Sequence, residues 1–365
     1  MNNHVTVLEI DSNALLHNLN YFKQKLKPET KVLAVVKAYG YGSDGIQVAK
    51  FLQDKVDYFA VAFTNEGVAL REAGVEKPIL VLHPHIQNLQ SIIDFRLEPN
   101  LYNFNIFNAF LQLADETPLM NYPIHIKFNT GLNRLGFWHT DVPKILSQLK
   151  ETNHVKVQSL FSHLAASEDI EERDFTINQI NNFAYIVQQF YKHLKYEPML
   201  HILNTSGVVN YPQAQFDMVR IGIGLYGFGN DKEETSQLKN THNLKSIISQ
   251  IHLIKPGETV GYNRAFVAKR NTKTATIPIG HADGLSRRLG NKEGYVLINN
   301  QKAPIIGNVC MDMIMVNVTK IDCKEGDEVI IFNSQQMIQD IADVSETIVY
   351  ETLTAISQRV NKMLK

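Results

Sequence analysis

The run KVLAVVK at 31–37 is short, apolar and rich in β-branched residues, and it opens into the glycine-punctuated stretch AYGYG at 38–42. Seven further runs follow it: YFAVA at 58–62, PILVL at 78–82, EPNLY at 98–102, YPIHIKFN at 122–129, VQSLFSH at 157–163, MLHILN at 199–204 and DMVRI at 217–221. Between them lie longer stretches with apolar residues near a 3.6-residue spacing. The clearest covers 171–194, where Phe175, Ile180, Phe183, Ile186 and Phe190 mark one face; 105–114 and 141–149 read the same way. Strands that alternate with helices predict a parallel sheet. Eight such strands within about 200 residues suit a closed (β/α)8 barrel. An open doubly wound sheet has no GxGxxG after its first strand to support it.

The pattern changes after residue 229. The segment NDKEETSQLKNTHN at 230–243 is polar and unpatterned and reads as a linker. Beyond it, strand signals at 247–254, 273–279, 295–298, 309–318 and 328–332 are separated by turn residues such as Pro256-Gly257 and Glu325-Gly326-Asp327. A helical tail is expected over 355–364. The chain is therefore read as two domains, a (β/α)8 TIM-type barrel over 1–235 and a mostly β domain over 236–365.

Composition excludes several classes. With 36 basic and 37 acidic residues the formal net charge is −1, which gives no electrostatic case for nucleic acid or an anionic membrane. No apolar run approaches the ~20 residues of a membrane span. Cys310 and Cys323 fit neither a disulfide framework nor a zinc module. The start, Met1-Asn2-Asn3-His4, lacks the features of a secretory leader, so the expected location is cytoplasmic.

Catalytic groups of a (β/α)8 barrel lie at the carboxyl ends of its strands. There the chain places Lys37, then Arg134 after the fifth strand, His163 at the end of the sixth, Asn204 after the seventh and Arg220 near the end of the eighth. Singly, each reads as a boundary or core residue; their convergence on one end points to a site. A lysine at a barrel mouth can condense with a carbonyl cofactor when its surroundings lower its pKa. Phosphate binding calls for backbone N–H groups and hydroxyls after the last two strands. Asn204-Thr205-Ser206-Gly207 and Gly222-Ile223-Gly224 stand at those points. His83-Pro84-His85 offers a pair of metal ligands with no matching set at later strand ends, so no metal site is expected.

Many blocks of the sequence, in order, resemble the alanine racemases, fold-type III enzymes that use pyridoxal 5′-phosphate. They include Ala34-Val35-Val36-Lys37-Ala38-Tyr39-Gly40-Tyr41-Gly42, the stretch from Lys127 to Gly136, Ser162-His163, Asn204-Thr205 and Met218-Val219-Arg220-Ile221-Gly222. Gly261-Tyr262, the stretch from Pro278 to Gly284 and Gly307-Asn308-Val309-Cys310-Met311-Asp312 extend the likeness through the second domain. The resemblance implies that Lys37 carries the cofactor and is the base on one face of the substrate, with Tyr262 the base on the other. Tyr41 and Thr205 are then expected at the phosphate with backbone groups of Gly222 and Ile223. Arg220 is expected at the pyridine nitrogen with His163 behind it, and Arg134 near the substrate carboxylate. Lys127 matches a position often carbamylated. Tyr262, Met311 and Asp312 would reach the site from the partner subunit, so a homodimer with shared active sites is implied. An arginine at the ring nitrogen cannot supply a proton, which makes the ring a weak electron sink and favours reprotonation over transamination.

The chain departs from the family pattern at three positions. His281 and Gln358 stand where the family generally has tyrosines lining the entrance and substrate pocket, and Asn129 where aspartate is more common. The two lost rings make serine, or a broader set of amino acids, an alternative to alanine. A non-catalytic pyridoxal-phosphate-binding protein shares the barrel and its lysine but lacks the domain that brings Tyr262.

Overall fold

The computed structural model describes residues 4–365; residues 1–3, read above as part of a start without a secretory leader, lie outside them. The first strand, β1 (Val7–Ile10), is followed by eight strands that form one parallel sheet: β2 (Lys31–Val35), β3 (Tyr58–Val61), β4 (Ile79–Val81), β5 (Glu98–Leu101), β6 (Tyr122–Lys127), β7 (Val155–Phe161), β8 (Met199–His201) and β9 (Met218–Ile221). Their order, β8-β7-β6-β5-β4-β3-β2-β9, brings the two edges together. There the backbone N–H groups of Asp217 and Arg220 donate to the carbonyls of Leu200 and Leu203, each at 3.1 Å, and the sheet nearly closes into a barrel. β3, β4, β5 and β9 are buried at every residue. Such continuous burial is expected of parallel strands sealed on both faces by helices and side chains, and it explains why these runs lack alternation in the sequence.

The second sheet has nine strands: β1, β10 (His242–Ile247), β11 (Gln250–Ile254), β14 (Thr272–Ile277), β15 (Tyr295–Ile298), β16 (Gln301–Ile306), β17 (Ile314–Asn317), β18 (Glu328–Phe332) and β19 (Asn361–Leu364). A separate two-stranded ribbon pairs β12 (Thr259–Val260) with β13 (Phe266–Val267). β10, β15 and β17 alternate between buried and partly exposed positions, the signature of strands with one face on a core. The amino-terminal β1 belongs to this sheet, antiparallel to β10 and parallel to β19.

Several expectations are corrected. The first barrel strand stops at Val35, so Lys37 lies beyond it, on the loop at the barrel mouth. The segment read as a linker contains a helix, Lys232–Gln237, whose N-terminus is capped by Asp231, and also the first residues of β10. The single strand expected over 247–254 is two strands. The tail is not helical: Asn361–Leu364 is extended because it pairs with β1, a contact invisible to local pattern. Two helices, Gln335–Val344 and Val349–Thr354, precede it. Among the described residues no helix is long and apolar enough to cross a membrane.

Candidate active site

A cavity of about 500 Å³ opens at the carboxyl ends of the barrel strands, and Lys37, Tyr41, Lys127, Arg134, His163, Asn204, Thr205, Arg220, Gly222 and Ile223 all line it. Those ten residues come from five separate stretches of sequence. The helix-borne Tyr350, which the sequence reading passed over, lines it as well. Its ring tilts against Tyr41 with centroids 6.1 Å apart, and burial followed by the charge of Glu168 pushes its phenol up to about 12.

Lys37 is presented by an unusual turn. Ala38, Tyr39, Gly40 and Tyr41 have φ values of 51°, 55°, 65° and 55°, a left-handed turn in which three of four residues carry a Cβ. Such residues cost of order 1 kcal/mol each and persist only where their surroundings impose them. Gly40 N–H donates to Val36 O and Gly42 N–H to Ala38 O, both at 2.9 Å. Glu66 supplies the external brace: its carboxylate accepts from Ala38 N at 2.6 Å, and from Ala62 N and Phe63 N at 2.8 and 3.0 Å. The signal for it in the sequence is a glutamate three residues after Phe63 at a helix start, where a side chain turns back onto open N–H groups.

Arg134 is held by a different device. Asn129 N donates to Phe137 O and Phe137 N to Lys127 O, closing the loop at its base. Phe137 is 2% exposed and packs edge-on against Phe104 and Phe107, at 5.0 and 6.0 Å between centroids. Burying that ring stabilises the loop by roughly 2–3 kcal/mol. Asn129 accepts from the N–H groups of Gly131 and Asn133, a role an aspartate would also fill.

The phosphate-side residues are equally constrained. Thr205 Oγ1 accepts from Gly222 N at 3.0 Å and Gly224 N at 3.4 Å. Asn204 caps the helix Thr205–Asn210 by accepting from Gly207 N, and it also accepts from Ser167 Oγ. Its carboxamide oxygen is thus engaged in structure. A Cβ on Gly222 would lie 2.4 Å from Tyr41 Oη, so glycine there is what lets the phenol reach the cavity. Tyr41 in turn stacks on Tyr226 at 4.8 Å.

Four basic side chains, Lys37, Lys127, Arg134 and Arg220, line this one space, and no carboxylate does. Burial, then the charge of Arg134, lowers the Lys37 pKa, with Glu66 opposing the shift. Burial and the charges of Arg134, Arg220 and Lys37 bring Lys127 down to about 7. Arg220, fully buried, is pulled to about 9 by burial and Arg134. Burial and the Arg220 charge hold His163 well below the usual histidine range, so it is neutral at pH 7. The arrangement is built to receive an anion and to favour the neutral form of the amines beside it. Among the described residues no cluster of three or more His, Cys, Asp or Glu could hold a metal ion.

Tyr262, Met311, Asp312 and His281 do not line the cavity. They lie exposed on the second domain, with Tyr262 74% and Met311 59% accessible. Asn308 Nδ2 donates to Tyr262 O and ties its turn to the loop carrying Met311 and Asp312. Asp312 is oriented by Arg359, which spans 2.6 Å to it and 2.6 Å to the buried Asp283. Gln358 is exposed and lines a separate depression with Tyr39, Asp44 and Glu66.

Two family models cover nearly the whole chain, "Alanine racemase, N-terminal domain" over residues 10–229 and "Alanine racemase, C-terminal domain" over 241–364. The alanine racemase of Fusobacterium nucleatum is 36% identical over 366 residues, spanning 98% of this chain and 99% of its own. The structure of the alanine racemase from Clostridium difficile 630 superposes with a TM-score of 0.94 at 31% identity, covering 100% of this chain and 97% of that one. The alanine racemase from Bartonella henselae with covalently bound pyridoxal phosphate superposes with a TM-score of 0.87 at 28% identity, covering 99% and 100%. Matched in both halves and in order, the chain belongs to the alanine racemase family and is an amino-acid racemase.

Proposed function

We propose that this racemase interconverts L- and D-alanine with pyridoxal 5′-phosphate, using Lys37 on one face of the substrate and Tyr262 of a second subunit on the other. The observation that carries this reading is the division of the site. Lys37 sits in a cavity lined with basic side chains, whereas Tyr262 stands exposed on the other domain, on a turn tied down by Asn308. A homodimer in which each subunit's second domain covers its partner's barrel mouth completes both sites.

The cavity suits the cofactor. Thr205, Tyr41 and the backbone at Gly222 and Ile223 would hold the phosphate, in a cradle that a Cβ on Gly222 would fill. Arg220 would face the ring nitrogen with His163 hydrogen-bonded behind it at 3.1 Å. Lys37 would anchor the cofactor, its amine kept available by the shift described above. When bound, the cofactor delocalises the negative charge left at Cα by loss of its proton. The protein's own work is then geometric. Arg134 holds the substrate carboxylate so that the Cα–H bond lies between the two bases, and the partner's domain excludes water. Lys37 Nζ takes or returns the proton on one face, the phenolic oxygen of Tyr262 on the other. A Lys127 amine near neutrality is nucleophilic toward carbon dioxide at physiological pH, and a carbamate there would place one negative charge beside Arg134.

Gln358 lies outside the cavity, which Tyr350 lines, so the site favours alanine over serine. The family and the near-neutral charge fit a cytoplasmic enzyme supplying D-alanine for peptidoglycan. The test is a chiral assay in deuterated water on cofactor-loaded protein. Expected is D-alanine from L-alanine, deuterated at Cα, with little product from L-serine. Borohydride reduction should fix the cofactor's mass on the Lys37 peptide alone. Racemisation by protein stripped of the cofactor, or labelling of another lysine, would overturn the assignment.

A further inference from the structure

Arg220 is a buried cation, 4% exposed, with no carboxylate in contact. Its Nη2 donates to the carbonyls of Ser162 and Ile202, both at 2.9 Å, and lies 3.1 Å from His163 Nδ1. Its Nη1 lies 2.6 Å from His201 Nδ1. A guanidinium has donors only. That fact fixes the first link, and a neutral His125 with its Nε2–H on the Glu98 carboxylate fixes the rest. His201 Nδ1 must accept, so its proton is on Nε2, which donates across 2.9 Å to Ser159 Oγ. The Ser159 hydroxyl then donates to His125 Nδ1 at 2.6 Å. His125 therefore carries its proton on Nε2, 2.6 Å from Glu98 Oε2. Ser159, His125 and His201 are 0% exposed and Glu98 8%.

We infer that Glu98 is a positioning residue for Arg220, answering its charge through the one-way line His125, Ser159, His201 that crosses the barrel interior. In a dry interior such a line polarises cooperatively, so the carboxylate at its far end still acts on the cation. The line also gives Arg220 one orientation, because rotating the guanidinium away from His201 would leave its buried Nδ1 an acceptor without a donor. His201 is further pinned by stacking on Phe161, a wall of the cavity, at 4.6 Å and 5°. Burial and the Arg220 charge keep its imidazole neutral, as the line requires. The other groups facing Glu98 are Tyr58, whose ring meets His125 edge-on at 6.1 Å, Tyr122 and Arg71. The inference touches the proposed function at Arg220, but its test needs no catalysis, so either can fail alone.

The experiment is a double-mutant cycle on the full-length protein, unfolded in urea with cofactor saturating and again after its removal. Glu98→Gln keeps an oxygen for His125 and removes the charge; Arg220→Met removes the cation. Residues this far apart, with no shared contact, should behave independently. The line predicts instead that the unfolding constants depart from additivity by about tenfold, and that the same cycle built on Ser159→Ala loses the departure. Additive effects with Ser159 intact would overturn it. A second reading covers the case in which Arg220→Met does not fold: nitrogen-15 spectra of otherwise unaltered protein should show His201 and His125 as Nε2–H tautomers. An Nδ1–H tautomer at either would sink the proposal.

Discussion

The two places that carry the proposed bases are opposites in construction. The barrel mouth is a cavity with four basic side chains and, among the described residues, no acidic one in its lining, its members braced by Glu66, Phe137 and the Gly222 backbone. The ridge of the second domain presents Tyr262 and Met311 to solvent, and its order comes from backbone turns and the Asp283–Arg359–Asp312 bridge. The side chains of one region are fixed within the subunit; those of the other, in the proposed dimer, meet a second copy. Electrostatic tuning needs burial, so tuned groups collect in the cavity while the ridge contributes shape and one phenol.

Mixing separately inactive subunits tests that division most severely. Lys37→Ala and Tyr262→Ala homodimers should each lose at least about 10³-fold in kcat. Re-associated together they should recover about a quarter of wild-type activity, because half the dimers then hold one intact site. Failure to recover would mean that both bases serve within one subunit.

The second effect concerns the cavity alone. Lys127 has a folded pKa of about 7 against an ordinary value of 10.5. Between those values the unfolded chain binds the extra proton, so stability should rise with pH from about 7 to about 10.5. Lys127→Met, measured by urea unfolding in carbon-dioxide-free buffer, should flatten this rise by on the order of a few kcal/mol. Lys37, whose pKa is also lowered, and above about pH 9 Arg220 contribute to the slope left over. An unchanged slope would show that Lys127 is not strained by its neighbours.

The smallest effect is expected at Gln358. Because it lies outside the cavity, Gln358→Tyr should change kcat/KM for alanine and serine by no more than about twofold. A larger change, or a switch in preference, would show that this position reaches the substrate in the assembled enzyme.

All eight barrel strands were legible because each is a local apolar run between turn signals, and Lys37 and Arg134 because they sit beside glycines that the backbone needs. What sequence concealed was non-local. β19 looks helical on its own and is extended only through β1, some 350 positions away. Glu98, His125, Ser159 and His201 occupy alternating or terminal positions of three barrel strands and the end of a fourth, where a lone polar residue reads as a boundary. Only the register of four neighbouring strands brings them into line. Tyr350 escaped notice because it enters from a helix of the other domain.

The left-handed turn at Ala38–Tyr41 has a consequence for how the protein tolerates change. Glycine would relax the backbone at Ala38 and Tyr39, and Tyr39 is 57% exposed, so little packing would be lost there. Glycine at those two positions is therefore expected to raise stability. The gain would come with a looser tether for Lys37, a trade between robustness and reach confined to two adjacent residues.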